Sequence, residues 1–263
     1  VKAWVIVIAS FKACGIALAA EHHAGAGAIL FFAPDPWVFL QFFLPSAQGF
    51  GPAITSFETE RREVWLTIDD GPDPSSTPRV LDLLRKHGAR ATFFVIGEQV
   101  ARHPELARRI VAEGHTIGNH THTHPAGGFW LASPSRIASE IDRCIGALLL
   151  ADVPFERYFR PPVGIRNPFL DPQLESRGMS LVLWNARGLD GMGRDPESAL
   201  GRIVRSIRPG GILLSHEAGS RPGGRLRFVE LLLEHLGRDG YACVLPPRGA
   251  LLTRARDDGP PAP

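Results

Sequence analysis

The hydrophobic pattern divides the chain into three stretches of different character. From residue 60 to residue 250, short apolar runs of strand length alternate with segments whose apolar residues recur every three to four positions. Glu63 to Ile68 reads as a buried strand that stops at Asp69-Asp70-Gly71-Pro72. Thr77-Pro78 then opens a helix, with Val80, Leu81, Leu83 and Leu84 on one face and Gly88 as its stop. The same reading places strands at 91–96, 115–117, 157–160, 179–184, 211–215 and 241–245. Helices are predicted over 104–113, from Ser133-Pro134 to Leu148, and over 174–177, 196–207 and 225–236. Seven strands alternating with helices over about 190 residues predict an α/β fold. The unit of about 27 residues is close to a βα-barrel repeat, but a full eight-unit barrel takes about 250 residues. A shortened or open barrel fits the length, and an open doubly wound sheet fits the same pattern.

The first fifty residues are a different material, with Lys2, Lys12, Glu21 and Asp35 as their only charged side chains. Ala3 to Ala20 is an apolar run with Lys12 near its middle. Ala24 to Pro45 is apolar apart from Asp35 and Gln41, and is broken by Pro34 and Pro36. A helix needs about 20 residues to cross a bilayer, so the first run is just long enough, and a central lysine costs it about 2.5–3.5 kcal/mol. Four readings are open. They are a membrane span, a cleaved signal with Ala17-Leu18-Ala19 as its small-x-small site, a membrane hairpin turning at Glu21-His22-His23, and a segment packed on the domain. Membrane association through residues 3–45 is the expectation, in a bacterial-type cell envelope, either membrane-attached or periplasmic/extracellular. The end of the chain, 251–263, is expected to be a disordered tail, charged and then rich in glycine and proline.

Composition narrows the classes. With 44% hydrophobic and 21% charged residues, a disordered chain is excluded and a sizeable core is possible. A net charge of +2 gives no electrostatic reason to expect a nucleic acid. Cys14, Cys144 and Cys243 have no CxxC spacing, which removes a thiolate zinc site. They read as buried small hydrophobes, with Cys144 and Cys243 the one pair in the main domain able to bridge.

The polar clusters all follow strand ends, which in a βα barrel share the rim where active sites form. Asp69 and Asp70 are adjacent carboxylates, which repel unless a cation or an arginine accompanies them. Such a pair can divide its work, one binding metal and the other acting as a base. The Asp-Gly-Pro-Asp-Pro run is also strong turn chemistry, which explains the glycine and prolines but not a second carboxylate. His120-Thr-His-Thr-His124 is the sharpest signal. Imidazoles four apart reach one ion from a helical segment, and imidazoles two apart from an extended one. With Asp70, two histidines would offer two nitrogens and one oxygen and leave positions open for water, a catalytic arrangement suited to zinc, cobalt or another late divalent ion. If His120 and His124 bind, His122 points away. Arg160, on a rigid Arg-Pro-Pro turn, can pair with Asp69 and orient it. His216, beyond the apolar Ile212-Leu213-Leu214, is placed as a proton donor, with Asp190 as the carboxylate that orients it. No Gly-x-Ser-x-Gly elbow surrounds Ser215, which argues against a serine nucleophile.

Taken in order, Thr67-Ile68-Asp69-Asp70-Gly71-Pro72, Thr92-Phe93-Phe94, His120-Thr121-x-Thr123-His124, Arg160-Pro161-Pro162 and Leu214-x-His216 resemble the polysaccharide deacetylases, the NodB-homology domains of carbohydrate esterase family 4. The resemblance covers about residues 62–245. It implies a distorted (β/α)7 barrel carrying an apolar N-terminal extension, and metal-dependent hydrolysis of N-acetylated sugars. It implies Asp70, His120 and His124 as ligands of zinc or a similar ion, Asp69 as general base and His216 as general acid. Arg160 resembles the residue that tethers the base and Asp190 the one that supports the acid. Trp184 and Leu214 would line the acetyl pocket, and a backbone N–H near Val163 would help hold the oxyanion. The chain departs from the family pattern at Ile68, where phenylalanine is usual. It also departs at Val163, where an aromatic usually follows Arg-Pro-Pro, and at Gly191, where tryptophan is frequent. The last two remove flat surface on which sugar rings stack, so a long chitin chain is a poor expectation and a small or lipid-linked glycan remains open. A deformylase on a lipid-linked sugar, a silent carbohydrate-binding protein and a two-metal phosphoesterase are the rival readings, the last without a visible second ligand set.

Overall fold

The computed structural model describes residues 3–217 and 222–253. Lys2 and the tail from Arg254 onward lie outside the described residues. Three apolar helices come first: α1 (Ala3–Ala20), α2 (Ala24–Phe32) and α3 (Asp35–Phe43). The domain follows as β1 (Ser56–Phe57), β2 (Glu63–Asp69), α4 (Thr77–Lys86), β3 (Ala91–Val95), α5 (Gly97–Arg102), α6 (Pro104–Ala112) and β4 (Thr116–Asn119). It continues with α7 (Pro134–Leu150), β5 (Tyr158–Phe159), α8 (Leu170–Glu175), β6 (Ser180–Leu181), β7 (Ala186–Arg187) and α9 (Pro196–Ile203). The last elements are β8 (Gly211–His216), α10 (Pro222–Arg238), β9 (Ala242–Cys243) and β10 (Leu251–Leu252).

The staves are the seven strands β2 to β8. Parallel pairing runs β8-β2-β3-β4-β5-β6, and β7 pairs with β8 on its other side. Among the described residues no ladder joins β6 to β7. Ile54 closes that seam instead: its N–H donates to Leu181 O at 2.8 Å, and Leu183 N donates to Ile54 O at 2.9 Å. This is the distorted (β/α)7 barrel that the resemblance implies, not an open doubly wound sheet.

The two-residue period of the strands separates two cores. Val64, Leu66 and Ile68 of β2 pack outward with Val80, Leu81 and Leu84 of α4 and with Phe228 and Leu232 of α10. Trp65, in between, packs inward with Phe94, Phe159, Ile212 and Leu214. Thr67 and Asp69 continue the inward series, so the parity that builds the core also carries Asp69 to the inner rim. Phe94 lies at the centre of this interior. Gly118 on β4 lets its ring approach, because a Cβ there would meet Phe94 Cε1 at 2.7 Å.

Several elements differ from the sequence reading. The strand expected over 179–184 is reduced to β6, and β7 forms beyond it, after Asn185. The Asn185 N–H donates to Ile212 O on β8 at 3.2 Å and its Oδ1 accepts from Ile212 N at 2.6 Å. The strand expected over 241–245 shrinks to β9, which lies beside the start of β2 (Glu63↔Ala242, Val64↔Cys243), where it is not a stave. Helix α5 was not anticipated, since Val100 is its one large apolar residue. Leu251 and Leu252, placed by the sequence in a disordered tail, form β10 and pair antiparallel with β1. The domain therefore extends past both expected limits, 60 and 250. Cys144 and Cys243 are free and buried, as hydrophobes in the outer core, while Cys14 is free and exposed.

Because Phe94 fills the barrel interior with no solvent exposure, Phe94→Ala should cost about 3–5 kcal/mol. Urea unfolding followed by tryptophan fluorescence would measure it. A loss below about 1 kcal/mol would mean that the interior is not packed as described.

Candidate active site

Asp69 and His216 are register partners at the ends of adjacent strands β2 and β8. Arg160, fully buried at the end of β5, crosses the barrel interior to hold Asp69: Nη1 donates to Asp69 Oδ1 at 2.7 Å and to Thr67 Oγ1 at 2.8 Å. Its Nε donates to Val182 O at 3.0 Å and Nη2 to Leu183 O at 3.3 Å, and its guanidinium lies 4.1 Å from the Phe94 ring centroid. Burial lowers the Arg160 pKa, and the charge of Asp69 opposes that shift. The carboxylate is thus fixed through one oxygen, and its other oxygen, Oδ2, faces His120 Nε2 at 3.7 Å.

Asp70 would point to the helix side if β2 simply continued its alternation. Its φ of 79° turns it back. Its Oδ1 lies 3.6 Å from His120 Nε2 and 3.4 Å from His124 Nε2. Thr121 (φ 68°) and His124 (φ 50°) also hold left-handed backbone, a conformation that costs non-glycine residues about 1–3 kcal/mol and gathers at functional sites.

These three donors fit a single divalent ion. Donors sharing a tetrahedral ion at 2.0–2.1 Å stand about 3.3 Å apart, close to the separations seen. His120 Nδ1–H donates to Arg160 O at 2.8 Å, which leaves its Nε2 lone pair facing the site. Burial, with the adjacent His120, pushes the His124 pKa down to about 4, so its imidazole is a neutral ligand at pH 7. Burial raises the Asp70 carboxyl, but its hydrogen bond with His120 and the charges of His216, His120 and His124 outweigh this and hold it well below the usual range. Two imidazole nitrogens with one carboxylate oxygen suit zinc and other late divalent ions. Among the described residues this is one compact His/Cys/Asp/Glu group, and no second group stands beside it for a two-metal site.

On the far side, Asp190 Oδ2 accepts from the His216 backbone N–H at 2.8 Å and from Nδ1 at 3.1 Å. Burial alone would lower the His216 pKa. The charge and hydrogen bond of Asp190, followed by Asp70 and Asp69, overcome it and raise the pKa to about 9. Trp184 is buried between Arg160, whose guanidinium is 5.5 Å from its ring, and Gly164, where a Cβ would strike the indole. Leu214 is buried on β8, facing inward beside them. Val163 is exposed at the rim, with φ 52°.

Some residues of the site were not anticipated. Glu140, buried in α7, holds the histidine loop: Oε2 accepts from the backbone N–H groups of His122 and Thr123 at 2.9 and 2.8 Å, and Oε1 from Thr123 Oγ1 at 2.8 Å. Arg136 pairs with it at 2.7 Å. His122 turns away from the cluster, its Nδ1 lying by Gly97. Arg225 of α10 stands 3.5 Å from Asp70 Oδ2 and donates to Gly191 O at 2.9 Å. Glu140 carries a faint signal, a glutamate on the inner stripe of an amphipathic helix. Arg225 carries none.

Residues 57–182 match the family model described as polysaccharide deacetylase. A chitooligosaccharide deacetylase of Bradyrhizobium sp. (strain ANU 289) is 39% identical over 165 residues, 62% of this chain and 73% of that protein. The chain belongs to the polysaccharide deacetylase family. A peptidoglycan-N-acetylglucosamine deacetylase of Bacillus cereus is 35% identical over 187 residues, 68% of this chain and 84% of that protein. The structure of a family 4 carbohydrate esterase from Streptomyces lividans in complex with acetate superposes with a TM-score of 0.64 and 29% identity, covering 72% of this chain and 95% of that one. This family member is accordingly a hydrolase of the polysaccharide N-deacetylase type.

Glu140 supports the histidine loop without touching the Asp70, His120 and His124 cluster. If that cluster holds a divalent ion, Glu140→Ala should weaken its binding by about 10–100-fold, the usual cost of losing a group that positions the donors. Competition with a chromogenic chelator would measure it. An unchanged affinity in a folded variant would show that the loop keeps its geometry without this carboxylate.

Proposed function

We propose that this protein is a metal-dependent hydrolase of the carbon–nitrogen bond of N-acetylated amino sugars in a cell-envelope glycan or glycolipid, with zinc as its ion. The observation that carries the reading is the pairing of Asp69 with His216 on adjacent strands, flanking the Asp70, His120 and His124 donors. The relatives, a chitooligosaccharide deacetylase and a peptidoglycan-N-acetylglucosamine deacetylase, favour a glycan containing N-acetylglucosamine as the substrate class.

A divalent ion held by Asp70, His120 and His124 would polarise the amide carbonyl and bring the pKa of water from 15.7 to about 7. Asp69, tethered through Oδ1, takes the proton of the attacking water on Oδ2. The backbone at Val163 supplies a hydrogen-bond donor to the developing oxyanion. His216, oriented by Asp190, gives its proton to the departing nitrogen, since an amine leaves badly without one. Trp184 and Leu214 close the pocket around the acetyl methyl. The envelope is the matching location, and the apolar helices at the N-terminus fit attachment to its membrane.

The zinc-loaded protein should release acetate from N-acetylglucosamine oligomers or peptidoglycan, with formate assayed beside it. Asp69→Asn should keep the metal and lose about 10²–10⁴-fold in kcat, the usual worth of a positioned base. Asp70→Ala should lose metal and activity together. Formate without acetate would replace deacetylation by deformylation, and full activity in Asp69→Asn would remove the base assignment.

The pH profile tests the acid. His216 must be protonated to donate, and its pKa is raised to about 9, so activity is kept through neutral pH and lost as pH rises through the pKa. Asp190→Asn removes the largest raising influence and leaves burial to lower the pKa. The alkaline limb of kcat/KM should then move to lower pH, and a limb that stays in place would assign the proton to another group.

A further inference from the structure

Helices α1 and α2 form an antiparallel hairpin turning at Glu21-His22-His23. They touch where both carry glycine: a Cβ on Gly15 would meet Gly27 O at 2.7 Å, and one on Gly27 would meet Gly15 O at 2.6 Å. The two charges within the legs neutralise each other, since Lys12 Nζ donates to Asp35 Oδ1 at 2.8 Å and also to Phe31 O at 3.2 Å. Each leg has the length of a bilayer core. At 1.5 Å per residue, the 18 residues of α1 span about 27 Å and the 20 residues Ala24–Phe43 about 30 Å, against a hydrocarbon thickness of about 30 Å. The second leg is almost wholly unburied, and Ile6, Ile16, Ile29, Phe32 and Phe39 stand bare. Close contact through small residues, an internal ion pair and an apolar exterior are what a hydrocarbon surround selects.

The hairpin leaves this apolar region at the catalytic face of the barrel. Phe42, at the end of α3, packs edge-on against Trp130 at 5.9 Å, and its carbonyl accepts from Arg166 N at 2.9 Å. The buried Arg166 side chain donates to Ala47 O and Gly51 O, clamping the linker to the loop that carries Val163. Asn167 Nδ2 donates to the carbonyls of Phe129, Trp130 and Ala132 and ties in the histidine loop. The apolar surface continues from there. Leu131, Val163, Phe169 and Met192 are exposed, and all four lie on connections that leave strand C-terminal ends.

We infer that the hairpin is seated in a lipid bilayer and that the catalytic rim lies against that bilayer. The deacetylation site, on the reading above, then takes its amino sugar at the membrane surface, as a lipid-borne glycan. A second copy of the chain covering the same apolar face is the rival occupant.

The test uses the full chain, reconstituted from detergent into phosphatidylcholine vesicles. In a Cys14→Ser background the remaining cysteines are buried, so a fluorophore can be placed by Leu131→Cys or by Leu150→Cys. Leu150 is 92% exposed at the end of α7, on the opposite face. The expected result is flotation that survives alkaline extraction. Brominated acyl chains should quench the probe at 131 and not the probe at 150. Protein that stays out of the vesicle fraction, as a monomer or as a dimer, would overturn the inference, as would equal quenching at both positions. Turnover gives the second arm: an N-acetylglucosamine oligomer on a lipid tail in the vesicle should be hydrolysed at least about tenfold faster than the same oligomer free, through effective concentration. Equal rates would overturn the membrane-surface substrate. Acetate from neither would sink the deacetylase reading and leave the quenching result standing.

Discussion

The structure depends on one ion pair inside a barrel. Arg160 and Asp69 are both buried, 2.7 Å apart. Removing either partner of such a pair leaves an uncompensated charge in the interior, at a cost of about 3–5 kcal/mol. The pair is tolerable because the guanidinium is satisfied all round, by Thr67 and by the carbonyls of Val182 and Leu183.

Arg160 also ties Asp69 to the His120 and Asp70 cluster. Its backbone carbonyl accepts from His120 Nδ1–H while its guanidinium donates to the carboxylate of Asp69. One residue thereby sets the tautomer of His120 and the orientation of Asp69. A lysine could keep the charge, but it lacks the planar fork that meets Asp69, Thr67 and two carbonyls at once. Two of the three clustered donors, Asp70 and His124, sit on strained backbone. That strain is held by Glu140 from below the loop and by Thr121 Oγ1, which accepts from His124 N at 3.1 Å.

Much of this was legible in the residues because strand parity is a local property. EVWLTID places Trp65, Thr67 and Asp69 on one face whatever the tertiary fold, and three histidines in five residues announce themselves. Side chains that replace backbone partners were not legible. Met179 to Trp184 reads as one strand, and nothing in it foretells that β7 starts only beyond Asn185, whose side chain accepts from Ile212 N. Glu140 looks like one more polar residue of an amphipathic helix until the loop above it is seen to lack other acceptors for its N–H groups. Arg166 and Asn167 read as an ordinary polar loop, yet they bind the linker of the hairpin and the histidine loop to one another. The apolar hairpin was one of several readings of its sequence. The pairing of Lys12 with Asp35 favours it, since the lysine that weakens a single span or a signal core is satisfied only when the second leg lies alongside.

Two of the three departures from the family pattern acquire a physical sense in this arrangement. Gly191 lies flat against His216, where a Cβ would meet its Cε1 at 2.8 Å. A tryptophan there would require the loop to move off the imidazole, and Arg225 holds the loop in place through the Gly191 carbonyl. Val163 offers an exposed aliphatic side chain where an aromatic ring would form a stacking wall. A groove without these rings forgoes base-independent ring stacking along a sugar chain, and with it much of the grip on a long soluble polymer. A catalyst confined to the plane that carries its substrate needs less of that grip, because confinement raises the encounter concentration without any contact. In the arrangement inferred here, aliphatic groups at Leu131, Val163 and Met192 are then better suited to the rim than aromatic platforms, because they face acyl chains and not pyranose rings.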